Sequence, residues 1–249
     1  MYQNEREREI MEILTRENYS TVNQLSERLY TSESSVRRDL KSLEAKGMVR
    51  RSYGGAEIVR NSSRILPFST RAHRNVPAKK IMAKKAAGLV RKGDIVFLDQ
   101  SSSSYYVAAE LTNLSGITVV TNNIEILSFL SQSELHVISS GGHLSKTNRN
   151  CLIGADAERT FSEIRANIMF FSAKALSEDG IIYDCDREEI CLRRVMMQAA
   201  GKKIFLCESE KYGQTAGYCQ CGIGEIDCLV TETAQRERFK ALEGGFTCY

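Results

Sequence analysis

The chain contains no run approaching the ~18 consecutive apolar residues that a membrane-crossing helix needs, and it opens on the charged stretch MYQNEREREIME, where a secretory leader would be apolar. A cytoplasmic protein with no membrane partner is therefore expected. An excess of charge is also missing. The 34 Lys and Arg residues stand against 31 Asp and Glu, so the net charge of +3 does not by itself announce a polyanionic partner. Histidine is scarce, and His73, His136 and His143 are far in sequence from Cys185 and Cys191, while Cys219 and Cys221 are spaced too tightly for a CxxC pair. No metal site and no cofactor are expected. The eight cysteines fall between residues 151 and 248 of a long chain without an export signal, a usage that fits reduced thiols rather than a disulfide scaffold.

What is present points to two domains. A length of 249 residues exceeds the usual domain of about 100–200, and 42% hydrophobic residues are ample for a core. Charge is unevenly distributed between segments. Residues 1–33 hold four basic and seven acidic residues, net −3, whereas residues 34–60 hold seven basic and three acidic, net +4. That positive stretch coincides with a helical pattern from about Ser32, in which Val36, Leu40 and Leu43 form one apolar stripe. At 100° per residue, Ser34, Arg37, Arg38 and Lys41 fall on the opposite side. Ser32 suits the N-cap and Gly47 the C′ position, and Met48 to Arg51 with Gly54-Gly55 read as a strand entering a tight turn.

A basic helix face is ordinarily just a solvated surface. Two further helical patterns precede this one, however, with Ile10, Ile13 and Leu14 on the first and Val22, Leu25 and Leu29 on the second. Ser20 or Thr21 can cap the second, and Tyr30-Thr31 falls where a helix-turn-helix needs its turn. The stretch LSERLYTSESSVRRDLKSLEAKGMVRRSYGGA resembles the N-terminal winged helix-turn-helix of the DeoR family of bacterial transcriptional regulators, with Ser35 where that family usually has Thr. The resemblance implies binding to a double-stranded DNA operator. Ser34, Ser35, Arg37, Arg38 and Lys41 would approach the major groove while Arg50 and Arg51 grip phosphates. Arg6 and Arg8 could add phosphate contacts, although interleaved Glu5, Glu7 and Glu9 favour a plain solvated surface.

This first domain is read as residues 1–57. Residues 58–76 lose both periodicities and form the expected linker, in which Phe68 and Arg71 resemble an aromatic followed by an Arg in the family. From Pro77 to Tyr249, short apolar runs alternate with helical patterns. Strands are expected at 94–99, 116–121, 135–140, 166–173, 202–207 and 227–232, and helices at 77–91, 104–112, 123–131, 154–163, 187–200 and 234–243. Such alternation predicts a mostly parallel α/β sheet, whose ligands bind beyond the carboxyl ends of its strands. The loops there are DQSSSS (99–104), Thr121-Asn122-Asn123, SSGGHL (139–144) and ESEKYG (208–213). Each alone is ordinary turn and N-cap chemistry. Together they gather hydroxyls, amides, Gly141-Gly142 and Lys211 at one sheet edge.

Residues 77–249 resemble the effector domain of the same family, itself similar to ribose-5-phosphate isomerases. The fold class is thus α/β, a small winged helix-turn-helix followed by a mostly parallel sheet domain. The resemblance implies a phosphorylated sugar effector, with phosphate on Ser102, Ser103 and Ser104, sugar hydroxyls on Asp99 and Asn122, and Lys211 as an anion partner. It also implies a homodimer or homotetramer that represses genes of carbohydrate metabolism. Two departures stand out. Ser101 replaces a glycine suited to positive φ, and Glu210 places negative charge beside Lys211. The alternative is a sugar-phosphate isomerase with a DNA-binding appendage. Asp99, Glu208 and Glu210 are carboxylates available to it, but nothing in their arrangement marks a catalytic base.

Overall fold

The computed structural model describes residues 3–45, 48–58, 65–232, 239, 242 and 247–249. The chain divides into two compact units, Met1–Pro67 and Phe68–Tyr249.

In the first unit, α1 (Gln3–Glu17), α2 (Val22–Arg28) and α3 (Glu33–Ala45) accompany a three-stranded antiparallel sheet of β1 (Tyr19–Thr21), β2 (Val49–Ser52) and β3 (Gly55–Ile58), with β3 central. Thr21 caps α2 through a box in which Gln24 answers back to the Thr21 N–H. The Ser32 hydroxyl accepts from the Ser35 N–H at the start of α3. Ile10, Leu14, Val22, Leu25, Leu29, Val36, Leu40, Leu43 and Val49 bury together. The helical period in the sequence is therefore the period of burial. The expected C′ glycine, Gly47, lies outside the described residues.

The second unit begins with helix, not linker. Phe68–His73 forms α4, and α5 (Val76–Ala87) follows directly. The expectation of an irregular 58–76 fails here because Phe68 and Ala72, four residues apart, are buried on one face of so short a helix that no repeat can show in sequence. There follow β4 (Ile95–Leu98), α6 (Ser102–Leu111), β5 (Thr118–Thr121), α7 (Ile124–Leu130), β6 (His136–Ser139), β7 (His143–Leu144), β8 (Leu152–Ile153) and α8 (Ala155–Glu163). Then come β9 (Ala166–Phe171), β10 (Ala175–Leu176), β11 (Ile181–Asp184), α9 (Arg187–Ala199), β12 (Ala200–Leu206), β13 (Tyr218–Gly222), β14 (Cys228–Val230) and β15 (Thr247–Cys248). The helix expected at 234–243 lies almost wholly outside the described residues.

Seven strands form one sheet in the order β15-β14-β12-β9-β4-β5-β6, and every pairing in it is parallel. Successive residues face opposite layers. Val96, Leu98, Ile168, Phe170 and Ile204 pack with α5, α6 and α7 residues such as Met82, Val107 and Ile126. Phe97, Met169, Phe171 and Phe205 pack with Phe161 of α8 and Leu192 and Met196 of α9. The chain starts in mid-sheet at β4, moves outward through β5 and β6, and returns to the other side of β4 with β9. The junction between β4 and β9 is thus the point where strand order reverses, the usual ligand position in such sheets. A smaller antiparallel sheet of β10, β11 and β13 and the β7–β8 hairpin complete the unit. Cys207, Cys221 and Cys228 are buried, and burial pushes each thiol up to about 12, so they are inert fillers. No helix among the described residues is long and apolar enough to cross a membrane.

Candidate functional site

In the first unit, α3 turns Val36, Leu40 and Leu43 inward and leaves Ser34, Arg37, Arg38 and Lys41 exposed, with Ser35 half-buried. The Ser32 hydroxyl lies 3.0 Å from those of both Ser34 and Ser35, so the first turn is ordered by its own hydroxyls. Arg37 pairs with Glu33 one turn earlier at 2.7 Å. Among the described residues Arg38 and Lys41 make no ion pair. Arg50 donates to Glu57 across the hairpin, and Arg51 reaches Glu44 of α3 at 2.6 Å while its backbone N–H donates to the same carboxylate. Both wing arginines are therefore held in exposed pairs, each worth only a few tenths to about 1 kcal/mol. The suggested role of Arg6 does not survive. Its guanidinium donates twice to Asp39, a wholly buried carboxylate of α3, and so fastens α1 to α3. Arg8 is exposed and lies 3.9 Å from Glu12.

In the second unit the loops at the carboxyl ends of β4, β5, β9 and β12 converge. Asp99 ends β4, but its carboxylate is spent within the protein. Oδ1 accepts from the Ser101 N–H and the Ser104 hydroxyl (2.6 Å), and Oδ2 accepts from the Ser172 N–H and Arg193 Nε (3.2 Å). This corrects the assignment of Asp99 to sugar hydroxyls. Ser104 is corrected with it, because its hydroxyl turns inward to Asp99 and its N–H is capped by Ser101. Ser101 itself adopts φ −75° and ψ 152° as the N-cap of α6. Serine in place of glycine thus strains nothing and supplies the cap.

Ser102 and Ser103 open α6, and the Ser103 hydroxyl is buried without a hydrogen-bond partner. Beyond the neighbouring strand β5, Asn122 donates to the Leu152 carbonyl at 3.2 Å, but its Oδ1 is buried and unpaired. Asn123 caps α7 through Oδ1, leaving Nδ2 buried and unpaired. Three orphaned polar atoms at the ends of adjacent strands are an expense that a bound ligand would remove. Gly141 has φ +64° with open space around it, whereas Gly142 is required by its own protein. A Cβ there would lie 2.4 Å from the Ile153 carbonyl, so the close approach is of β8 rather than of ligand.

Lys211 Nζ donates to the Ser172 hydroxyl at 2.8 Å and lies 3.3 Å from Glu208 Oε1. Glu208 Oε2 pairs with the buried Lys79 at 3.0 Å. The anion beside Lys211 is therefore Glu208. Glu210 points elsewhere, to Arg74 at 3.1 Å. Burial would raise the Glu208 carboxyl, but Lys211 and Lys79 outweigh it and hold it below the usual range. Burial lowers the Lys79 ammonium.

Two residues that sequence reasoning missed lie beneath these loops. Arg193 of α9 is buried, and its Nη1 donates to Asp184 (3.0 Å) and Gln220 (2.8 Å) in addition to the Asp99 contact. Burial opposes its charge, yet Asp184 and Asp99 hold it fully protonated. One turn earlier, Glu189 accepts from Gln100 Nε2 (2.6 Å) and Asn148 Nδ2 (2.8 Å). Burial and the nearby Asp184 push its carboxyl up to about 7. Among the described residues no cluster of His, Cys, Asp and Glu could hold a metal ion.

Comparison with known proteins agrees with both halves. Residues 6–62 match the DeoR-like helix-turn-helix domain and residues 74–233 match the DeoR C terminal sensor domain. The transcriptional repressor GlcR of Bacillus subtilis (strain 168) is 31% identical over 96% of this chain and 92% of its own length. The transcriptional regulator GolR of Listeria innocua is 30% identical over 93% and 91%, and the L-fucose operon activator of Haemophilus influenzae 30% over 92% of each. These relatives are transcriptional regulators, not enzymes. Among solved structures, the tetrameric eIF2B-beta2-delta2 complex from C. thermophilum has a TM-score of 0.50 at 13% identity, covering 65% of this chain and 57% of that one. Ribose 5-phosphate isomerase A from Methanocaldococcus jannaschii scores 0.41 at 16% identity, over 54% and 53%. An α3 with one exposed cationic face in the first unit, a doubly wound sheet with unsatisfied loops in the second and relatives aligned over nine-tenths of their length lead to one conclusion: this chain is a DNA-binding transcriptional regulator of the DeoR family.

Proposed function

We propose that the protein represses genes of carbohydrate metabolism by binding an operator through α3, and that a phosphorylated sugar held by the second unit controls this binding. Ser34, Ser35, Arg37, Arg38 and Lys41 face base edges in the major groove. Arg50 and Arg51 exchange their glutamate partners for phosphates, an exchange that costs little because both pairs are exposed. The observation that carries the effector reading is the set of buried orphan atoms, Ser103 Oγ at the N-terminus of α6 and Asn122 Oδ1 and Asn123 Nδ2 at that of α7, at the ends of the neighbouring strands β4 and β5. First-turn N–H groups have no acceptor within a helix. That of Ser104 is taken by Ser101, which leaves those of Ser102 and Ser103 for a phosphate, assisted by the helix dipole. Asn122 meets a sugar hydroxyl, the Gly141-Gly142 turn closes one side, and Lys211 leaves Glu208 for the anion.

A single winged module buries only about 600–1,000 Å² on DNA. A homodimer or homotetramer, assembled through the second unit, doubles or quadruples that contact on a repeated or palindromic operator. The sign of control follows the repressor relative GlcR. The test of the effector reading is a thermal-shift panel of sugar phosphates, the matching free sugars and inorganic phosphate. A ligand at ~100 times its Kd adds about 2.7 kcal/mol to native stability. Selective stabilisation by a sugar phosphate is expected, and equal response to its free sugar would refute the phosphate site.

A further inference from the structure

At the carboxyl edge of the large sheet, the carboxylates around the ends of β9 and β12 are each committed to a partner. Asp99 and Asp184 share the buried Arg193. Glu208 takes Lys79 and Lys211, and Glu210 takes Arg74. Glu189 is held by two side-chain amides. Lys174 stands among these groups and shares in none of the pairs. It lies three residues beyond the end of β9 and is half-buried, and its Nζ makes no hydrogen bond or ion pair among the described residues.

The backbone fixes Lys174 in this place. Its N–H donates to the Tyr183 carbonyl at 3.0 Å, and Ala175 pairs with Tyr183 as β10 begins, which sets Lys174 opposite Asp184. That acid is already taken. Asp184 Oδ2 lies 3.0 Å from Arg193 Nη1, and Oδ1 accepts from the Cys185 N–H at 2.8 Å. Burial lowers the Lys174 ammonium below its ordinary value, and Arg74 and Lys211 push the same way against Cys185 and Asp184. An ordinary lysine carries its charge out into water. A half-buried ammonium beside two other cations instead destabilises the empty fold, and an anion placed next to it would offset that.

The position of Lys174 identifies the anion. β9 lies next to β4, and the Ser172 N–H donates to Asp99, at the base of the proposed phosphate loop, at 3.2 Å. Lys174 is two residues beyond Ser172, while Ser102 opens α6 three residues beyond Asp99. Neighbouring strands are ~4.8 Å apart, which puts Lys174 roughly 5–10 Å from a phosphate at α6. That is the reach of a pentose or hexose chain, not of one phosphate group. Lys211 stands on the Lys174 side, with its Nζ on the Ser172 hydroxyl at 2.8 Å.

We propose that Lys174 marks a second anion subsite in the effector pocket, so that the effector is a sugar phosphate bearing a further anionic group, a carboxylate or a second phosphate, at the end remote from α6. The inference rests on α6 holding the first phosphate.

The experiment titrates the full-length protein, by thermal shift and calorimetry, with matched pairs of compounds. These are fructose 6-phosphate against fructose 1,6-bisphosphate, ribose 5-phosphate against ribose 1,5-bisphosphate, and glucose 6-phosphate against 6-phosphogluconate. In at least one pair the doubly charged member is expected to bind about tenfold more tightly than its partner. The bisphosphates and the phosphogluconate tell a second phosphate from a carboxylate. Lys174→Met should remove the advantage and leave affinity for the monophosphate unchanged, whereas Lys174→Arg should keep it. Without ligand, Lys174→Met should unfold at the parental temperature or above, because it loses a charge that has no partner. Monophosphates binding as tightly as their doubly charged partners would overturn the second subsite and leave the α6 phosphate site standing. No stabilisation by any sugar phosphate would overturn both. An advantage that survives Lys174→Met would overturn the proposal, as would a Lys174→Met protein destabilised without ligand, which marks a structural cation.

Discussion

Replacing Glu189 by Gln should make the protein more stable above neutral pH and leave it unchanged in acid. Glu189 is 4% exposed, accepts hydrogen bonds from Gln100 and Asn148, and has Asp184 nearby. Burial first, and Asp184 second, push its carboxyl from the ordinary 4.5 to about 7, while Arg193 and Arg71 pull the other way. The folded protein therefore holds this proton more tightly than the unfolded chain does. The resulting stability is complete below pH 4.5 and disappears as pH climbs through about 7. At 1.36 kcal/mol per pH unit, the gap corresponds to about 3 kcal/mol, a large share of the 5–15 kcal/mol typical of a domain. Gln has the size of the protonated acid without its charge, and its NH2 can donate to the Gln100 carbonyl oxygen once that side-chain amide turns over, while its oxygen still accepts from Asn148. Urea unfolding followed by circular dichroism should show parent and Glu189→Gln coinciding at pH 4.5 and the variant ahead by up to about 3 kcal/mol at pH 8. A variant less stable than the parent at pH 8, or a difference that does not change with pH, would refute the reasoning.

Other consequences are as specific. Arg193→Met strands the carboxylates of Asp99 and Asp184 in the interior and should cost about 3–5 kcal/mol, seen as a lowered unfolding midpoint in the same assay. Arg38→Ala should weaken operator binding by about 1–3 kcal/mol if the side chain reads a base, measured by fluorescence anisotropy of a labelled duplex. Ser102→Asp places like charge where phosphate would bind, and should abolish stabilisation by sugar phosphates in the thermal-shift panel while operator affinity stays at the parental value.

The legible parts of the sequence were those with a period. Val36, Leu40 and Leu43 announce α3 because one face of that helix is buried and the other is not. The runs around Phe97, Val120, Phe170 and Phe205 announce central strands because both faces are covered. The small sheet of β10, β11 and β13 went unseen, since strands of two to five residues carry no repeat. At the site, sequence located the loops but not how they pair inside. Asp99 is taken by Ser172 and Arg193, and Glu208 by Lys79, because partners 73 to 129 residues apart are set by topology alone. Arg193 and Glu189 look like a solvated face in DREEICLRRVMM. The available signal was that Glu189, Arg193 and Met196 share one helical stripe, so those charges had to be buried with the methionine.

The central claim is that one metabolite, bound at the α6 N-terminus, alters the affinity of α3 for DNA. Its most direct test is the operator affinity of the full-length protein, by fluorescence anisotropy, with and without a saturating amount of the sugar phosphate that stabilises it. Coupling of this kind is typically about 1–3 kcal/mol, or 5- to 150-fold in Kd. A change of that size in the parent protein, absent in Ser102→Asp, is the predicted result. Identical affinities with and without a ligand that demonstrably binds would contradict the account.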